Sequence, residues 1–164
     1  MALEIERKFL VNGNGYEKDF AFTREIKQGY LNLDIDRTVR IRMDGYEAFL
    51  TVKGRNDGNT RKEFEYEIPL LDAIEMLPMC GNSHIEKMRY IVPIKDVLIE
   101  VDVFGGANNG LIVAEIEFDK DDPRQDLSEG ELQHHLPEWI GKEVSDDSRY
   151  FNSALILNPY NTWK

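Results

Sequence analysis

Glu4, Glu6 and Lys8, within Leu3-Glu4-Ile5-Glu6-Arg7-Lys8-Phe9-Leu10-Val11, are the first residues whose types and spacing imply chemistry. In an extended chain, residues two apart point to the same side, so these three share a face opposite Ile5, Arg7 and Phe9. Two carboxylates about 7 Å apart repel by roughly 2 to 2.5 kcal/mol at an effective dielectric near 20. A divalent cation between them turns that cost into attraction. A single strand with one solvated face shows the same alternation, so the pattern carries weight only if it recurs.

It recurs in nearly every later extended segment. Arg40 and Arg42 oppose Val39, Ile41 and Met43; Lys53 follows them across the Asp44-Gly45 hairpin signal. Glu63, Glu65 and Glu67 oppose Phe64, Tyr66 and Ile68; Lys87 and Arg89 oppose Met88 and Tyr90. Glu100 and Asp102, then Glu115 and Glu117, close the series. The signs are mostly segregated strand by strand, whereas a solvated face usually mixes them. Turned inward, these faces line a lumen too charged to be a packed core.

Such a lumen suits a polyanion held with divalent cations. Guanidinium groups grip phosphate oxygens bidentately, lysine acts as a point charge, and Mg²⁺ prefers carboxylates plus phosphate oxygens. A triphosphate meets both demands. Zinc fits poorly, because no Cys/His cluster exists and the adjacent His134 and His135 diverge on a helix, where they read as surface residues.

The elements that must position these residues read as about eight strands, over residues 3–11, 24–31, 38–43, 46–53, 61–68, 84–92, 96–104 and 111–118. Their hairpin-like spacing predicts a closed antiparallel barrel, which leaves no free edges. The fold class is α+β, mainly antiparallel β, with flanking helices that cover the apolar outer faces. Pro69 opens a short helix with Leu70, Leu71, Ile74 and Leu77 at helical spacing before Pro78. A helical segment is expected over 122–135, and Asp146-Asp147 reads as the cap of a helix over 148–157. Asn12-Gly13-Asn14-Gly15 is a turn without the Lys-Ser/Thr ending of a phosphate loop. The expected organisation is one domain over 1–157 and a loose C-terminal tail over 158–164.

The chain has 164 residues and a net charge of -11. That length suits a single core, and the charge argues against a nonspecific nucleic-acid binder or an anionic-membrane binder. Cys80 stands alone, so no internal disulfide forms; it reads as a core residue in a reducing compartment. With no leader-like start and no apolar run of spanning length, the expected location is cytoplasmic.

Glu4-Ile5-Glu6-Arg7-Lys8 resembles the ExExK signature of the CYTH superfamily, the triphosphate tunnel metalloenzymes. The resemblance continues through Gln28-Gly29-Tyr30-Leu31, Arg40-Ile41-Arg42, Thr51-Val52-Lys53-Gly54, Glu63-Phe64-Glu65-Tyr66-Glu67 and Lys87-Met88-Arg89-Tyr90. It goes on through Glu100-Val101-Asp102-Val103-Phe104 and Glu115-Ile116-Glu117, and covers the chain from Glu4 to about Leu157, Arg149-Tyr150 included. ExExK alone is a weak motif; the ordered series is specific.

The resemblance implies an eight-stranded tunnel that binds triphosphates with Mg²⁺ or Mn²⁺. It implies that Glu4, Glu6, Glu115 and Glu117 hold metal, with Glu63, Glu65, Glu100 and Asp102 serving a second ion or positioning water. Lys8, Arg40, Arg42, Lys53, Lys87 and Arg89 would hold phosphates, and the catalytic set would comprise Glu4, Glu6, Lys8, Glu63, Glu65 and Lys87. The expected activity is hydrolysis of inorganic tripolyphosphate to pyrophosphate and phosphate. A class IV adenylate cyclase or a thiamine triphosphatase would need a pocket for an organic group, for which the chain offers only the scattered Tyr46, Phe49 and Tyr66. A non-catalytic polyphosphate- or nucleotide-binding module would not need the repeated acidic pairs. The expected partner is a small-molecule triphosphate; a homodimer stays open.

Overall fold

The structure is a computed structural model that describes residues 2–163. The alternating segments form β1 (Ala2–Val11), β2 (Phe22–Asn32), β3 (Arg37–Asp44), β4 (Glu47–Gly54), β5 (Thr60–Glu67), β6 (His84–Ile94), β7 (Val97–Phe104) and β8 (Ile112–Glu117). Their order in the sheet is β5-β4-β3-β2-β6-β7-β8-β1. β1 returns to β5 with Leu3 opposite Lys62 and Glu4 opposite Arg61, so the eight strands close into an antiparallel barrel. Closure satisfies the edge N–H and C=O groups that an open sheet leaves free. Gly45, in the turn between β3 and β4, has φ of +63°, which a hairpin of this kind needs and glycine adopts without steric cost.

Sequence reading missed a ninth strand, β9 (Ile140–Glu143), which pairs with the end of β1. Four residues are too few for alternation to show. Its anchor is Arg7, on the outer face of β1, whose guanidinium donates to both oxygens of Glu143 (2.7 and 2.6 Å) and to the carbonyl of Leu127 (2.5 Å). Ser145 extends the tie, its hydroxyl accepting from the Lys8 N–H at 2.9 Å and donating to Glu143.

The apolar outer faces of β1, β7 and β8 (Ile5, Phe9, Ile99, Val101, Ala114, Ile116) pack under Tyr16, Leu132, Trp139 and Ile140. On the other side, Ile41 and Ala48 pack under α1 (Leu70–Met76). Of the four residues expected to pack from their spacing, Leu70 and Leu77 do so around the fully buried Ala73, while Leu71 is 74% exposed and Ile74 47%. The small side chain allows the seven-residue helix to lie close on the sheet. The outer face of β5 stays uncovered, with Phe64 and Tyr66 exposed. Cys80 is buried, and its side chain lies where a Cβ on Gly29 would stand, 2.8 Å away.

The C-terminal elements close one end of the barrel. Leu155 of α3 (Asn152–Leu157) is fully buried against Ile85, Phe104, Leu111 and Val113. Ile85, Phe104 and Val113 share strand faces with Lys87, Asp102 and Glu115, so one end of the lumen is an apolar core and the rest is polar. The helix expected over 148–157 is split: Phe151 is extended between a 3-10 turn (Ser148–Tyr150) and α3. Residues 122–135 are likewise broken into a 3-10 turn (Pro123–Asp126) and α2 (Glu129–Gln133), which Ser128 restarts with a capping box to Glu131. Residues 158–163 are not loose, as the sequence reading had them: Tyr160 and Trp163 pack on the apolar end, and the Tyr160 N–H donates to Asn108 Oδ1 at 2.8 Å. Among the described residues no helix is long and apolar enough to cross a membrane.

Candidate active site

The polar part of the lumen is a cavity of about 400 Å³. Each wall comes from the inward face of a strand: Glu4, Glu6 and Lys8 of β1, Arg40 and Arg42 of β3, Lys53 of β4, Glu63 and Glu65 of β5, Arg89 of β6, Glu100 of β7, and Glu115 and Glu117 of β8. Residues spread over more than a hundred positions thus meet because period-two alternation puts each on the concave side of a closed sheet.

The acidic and basic strands interleave, so opposite charges pair across the strands. Glu65 takes Arg40 and Arg42, each at 3.4 Å, and also the Thr51 hydroxyl at 3.0 Å. Glu4 takes Lys53 at 2.8 Å and Arg61 at 3.1 Å. Lys8 reaches Glu115 at 3.4 Å, while Arg89 reaches Glu100 at 2.6 Å and Glu115 at 3.7 Å. Lys8 also donates to the Tyr150 carbonyl at 3.3 Å and stands 5.5 Å from the centre of the Phe151 ring, which ties the C-terminal plug to the lumen.

Two of the expected site residues lie elsewhere. Lys87 and Asp102 do not line the cavity; each side chain is 1% exposed, behind the wall toward the apolar end. Asp102 accepts from Lys87 at 2.6 Å and from Arg89 Nε and Nη2 at 2.7 and 2.8 Å. Every oxygen of Asp102 is therefore engaged in fixing the two basic groups. In this arrangement it orients Arg89 and does not face the cavity as a ligand would.

Burial and neighbours divide the carboxylates into two kinds. Although burial opposes it, Lys53 and Arg61 hold the Glu4 carboxyl down at about 2. Glu115 is likewise held well below the usual range by Lys8, Lys87 and Arg89, against burial. Glu6 behaves oppositely: burial, then the charges of Glu115 and Glu4, push it up to about 8. Burial and Glu4 raise Glu63 to about 7 despite Lys53, and burial with neighbouring acids raises Glu117. Burial also brings the Lys87 ammonium down to about 8 despite Asp102.

Sequence reasoning missed part of the lining. Arg61 shares the inward face of β5 with Glu63 and Glu65, so the alternation already contained it. Tyr30 stands inside the Gln28–Leu31 stretch of β2 without a role assigned to it, and Thr38 lies two residues before Arg40 on the same face of β3. Phe151, Asn152 and Ser153 also line the cavity, and no local pattern announces them, because the docking of α3 alone brings them there. Tyr46 and Tyr66, considered as walls for an organic group, are 95% and 58% exposed and lie outside the cavity, and Phe49 instead stacks under Arg42 at 5.1 Å.

A closed antiparallel barrel whose lumen, and not its surface, carries a lattice of acidic and basic side chains defines a tunnel protein. The chain belongs to the CYTH family: the CYTH domain model matches residues 2–151. The chain is 42% identical over 165 residues to an inorganic triphosphatase of Acetivibrio thermocellus, covering 100% of this chain and 99% of that protein. It is 36% identical over 158 residues to an inorganic triphosphatase of Nitrosomonas europaea, with 94% and 97% covered. The crystal structure of the inorganic triphosphatase NE1496 superimposes with a TM-score of 0.65 at 35% identity, covering 96% of each chain.

Proposed function

We propose that this chain hydrolyses inorganic tripolyphosphate to pyrophosphate and orthophosphate in the barrel lumen, with a divalent cation, Mg²⁺ or Mn²⁺. The observation that carries the reading is the meeting of weakly paired groups of both signs in one cavity. Arg40 and Arg42 line it, and their ion pair among the described residues is with Glu65 alone, at 3.4 Å. Glu63 and Glu117 have no ion pair among the described residues, and Glu6 has only Lys8, at 4.0 Å. Phosphate oxygens suit the first set and a cation the second. Both full-length relatives are named inorganic triphosphatase, which supports the same substrate.

The donor set fits a hard cation, being all carboxylate oxygen on the acidic walls. No three acidic, His or Cys groups among the described residues stand ready as a metal cage; Mg²⁺ habitually takes only part of its shell from protein and the rest from water and substrate phosphates. Glu4, Glu6, Glu115 and Glu117 would hold the ion, with Glu63 and Glu100 at hand for a second. When bound, the ion neutralises phosphate charge and polarises the P–O bonds.

The chain's own groups do the rest. Lys8, Arg40, Arg42, Lys53 and Arg89 orient the phosphates and stabilise charge as it gathers on the leaving pyrophosphate. A water oxygen attacks the terminal phosphorus in line; the bond to the bridging oxygen breaks, and its electron pair leaves on pyrophosphate. Where it does not hold a second ion, Glu63, raised to about 7 by burial and Glu4, would accept the water's proton near neutral pH. Asp102 acts from behind the wall by holding Arg89 in place, with Lys87 bonded to the same carboxylate, and Glu65 pairs with Arg40 and Arg42. We take residues 1–157 as one tunnel domain and 158–164 as its C-terminal tail. The net charge of -11 supports a small-molecule partner over nucleic acid or an anionic membrane, and the lone buried Cys80 supports the cytoplasm.

The test is phosphate and pyrophosphate release from tripolyphosphate, ATP and thiamine triphosphate, with Mg²⁺ or Mn²⁺ and with chelator, while cyclic AMP is assayed from ATP. Release from tripolyphosphate that depends on metal and exceeds that from the other two supports the proposal. Cyclic AMP formation, or preference for thiamine triphosphate, replaces it; no turnover by folded, metal-supplied protein leaves a binding module.

A further inference from the structure

Glu4 lines the cavity beside Glu6, yet both of its oxygens are covered by cations. Lys53 Nζ donates to Oε1 at 2.8 Å and Oε2 at 3.0 Å, and Arg61 Nε donates to Oε2 at 3.1 Å. The Glu4 side chain is 9% exposed, with Lys53 at 12% and Arg61 at 18%, so water screens these contacts little. Glu6, two residues on and on the same face, has no basic group closer than 4.0 Å. A cation entering the lumen therefore finds Glu6 open and Glu4 already neutralised.

A polyphosphate entering alone meets the complementary obstacle. Eight carboxylates and six basic groups line the cavity, and the basic groups are already engaged with those carboxylates or, for Arg89, also with Asp102. Neither ligand reaches its full set of partners until the cations on Glu4 change partner. Guanidinium binds phosphate in the same forked geometry as carboxylate, so a partner exchange loses no donor satisfaction.

We propose that Arg61, assisted by Lys53, is an exchange counter-ion: it holds Glu4 until a polyanion enters and then passes to a phosphate oxygen, which frees Glu4 for the divalent cation. The inference rests on the triphosphate reading of the site. Its consequence is that cation and polyanion bind with positive, reciprocal coupling, each removing the competitor that hinders the other. Arg61 adds to the phosphate-holding set a residue that also governs metal affinity.

The experiment measures Mn²⁺ binding by electron paramagnetic resonance to the full chain without any phosphate compound, for wild type, Arg61→Gln and Lys53→Gln. Removing a competing cation should tighten Mn²⁺ binding about tenfold, within the 5- to 150-fold span of ordinary site coupling. Arg61→Lys, which keeps the charge, should stay near wild type. Binding of imidotriphosphate in chelator should weaken by a similar factor in Arg61→Gln. Unchanged or weaker Mn²⁺ binding in folded Arg61→Gln overturns the exchange, and if that variant does not fold, Lys53→Gln decides by the same criterion. Hydrolysis of tripolyphosphate without Mn²⁺ tightening overturns the exchange alone. Mn²⁺ tightening in a protein that hydrolyses no triphosphate supports the exchange and removes the hydrolase reading.

Discussion

Glu6→Gln should make the metal-free protein more stable at alkaline pH while abolishing turnover. Burial, Glu115 and Glu4 push the Glu6 carboxyl from 4.5 to about 8 in the folded chain. At about 1.4 kcal/mol per unit, that shift corresponds to at most roughly 5 kcal/mol, and relaxation of the coupled carboxylates leaves a few. The sign follows from where the proton sits. Below pH 4.5 both states are protonated and Glu6 carries no penalty. Between 4.5 and 8 the unfolded chain releases the proton while the folded chain keeps it, so stability falls as pH rises; above 8 the penalty is constant.

Glutamine has no such titration. The stability difference between variant and wild type should therefore be near zero at pH 4, grow through pH 5 to 8, and level off at a few kcal/mol by pH 9. At about 2–4 °C per kcal/mol for a chain of this size, the alkaline gain in Tm is on the order of 5–15 °C. Urea unfolding with chelator at pH 4, 7 and 9 reads it directly. A difference that does not vary with pH, or a variant less stable than wild type at pH 9, refutes the reasoning that Glu6 is held against like charge.

Glu4→Gln should act in the opposite direction, since Lys53 and Arg61 hold its carboxyl at about 2. Its stabilisation is present above pH 4.5 and lost as pH falls toward 2, so the variant should lose about 2–3 kcal/mol at pH 7 and little at pH 2, measured by denaturant unfolding. Asp102→Asn leaves Lys87 and Arg89 buried without their counter-ion; about 3–5 kcal/mol of stability and on the order of 100-fold in kcat should go, read by unfolding and steady-state kinetics. Leu155→Ala empties the apolar plug and should cost about 2–5 kcal/mol in urea unfolding.

Period-two alternation made the strands, their faces and the Asp44-Gly45 turn legible in the chain, because in a strand the side a residue faces depends only on its parity. It also made nearly all of the charged lining legible, including Arg61, which lies in register with Glu63 although sequence reading left it aside. Parity is silent on depth along the barrel, however. Lys87 and Asp102 have the right face, and only the stacking of Ile85, Phe104, Val113 and Leu155 at one end puts them behind the cavity wall. Nor does parity say which strands become neighbours. The pairing of β5 with β1 brings Arg61 opposite Glu4, and that closure is a long-range event without a local signal.

The short C-terminal elements were least legible. β9 is too short to show a period, and the helices expected over 122–135 and 148–157 are interrupted where Leu127 and Phe151 turn extended. Sequence alone determined a barrel with charge on its inward faces, since hydrophobic and charged side chains alternate wherever the backbone is extended. Tertiary structure decided which charges neutralise one another, which stay unpaired and how deep each one lies, because those depend on distances between strands far apart in the chain.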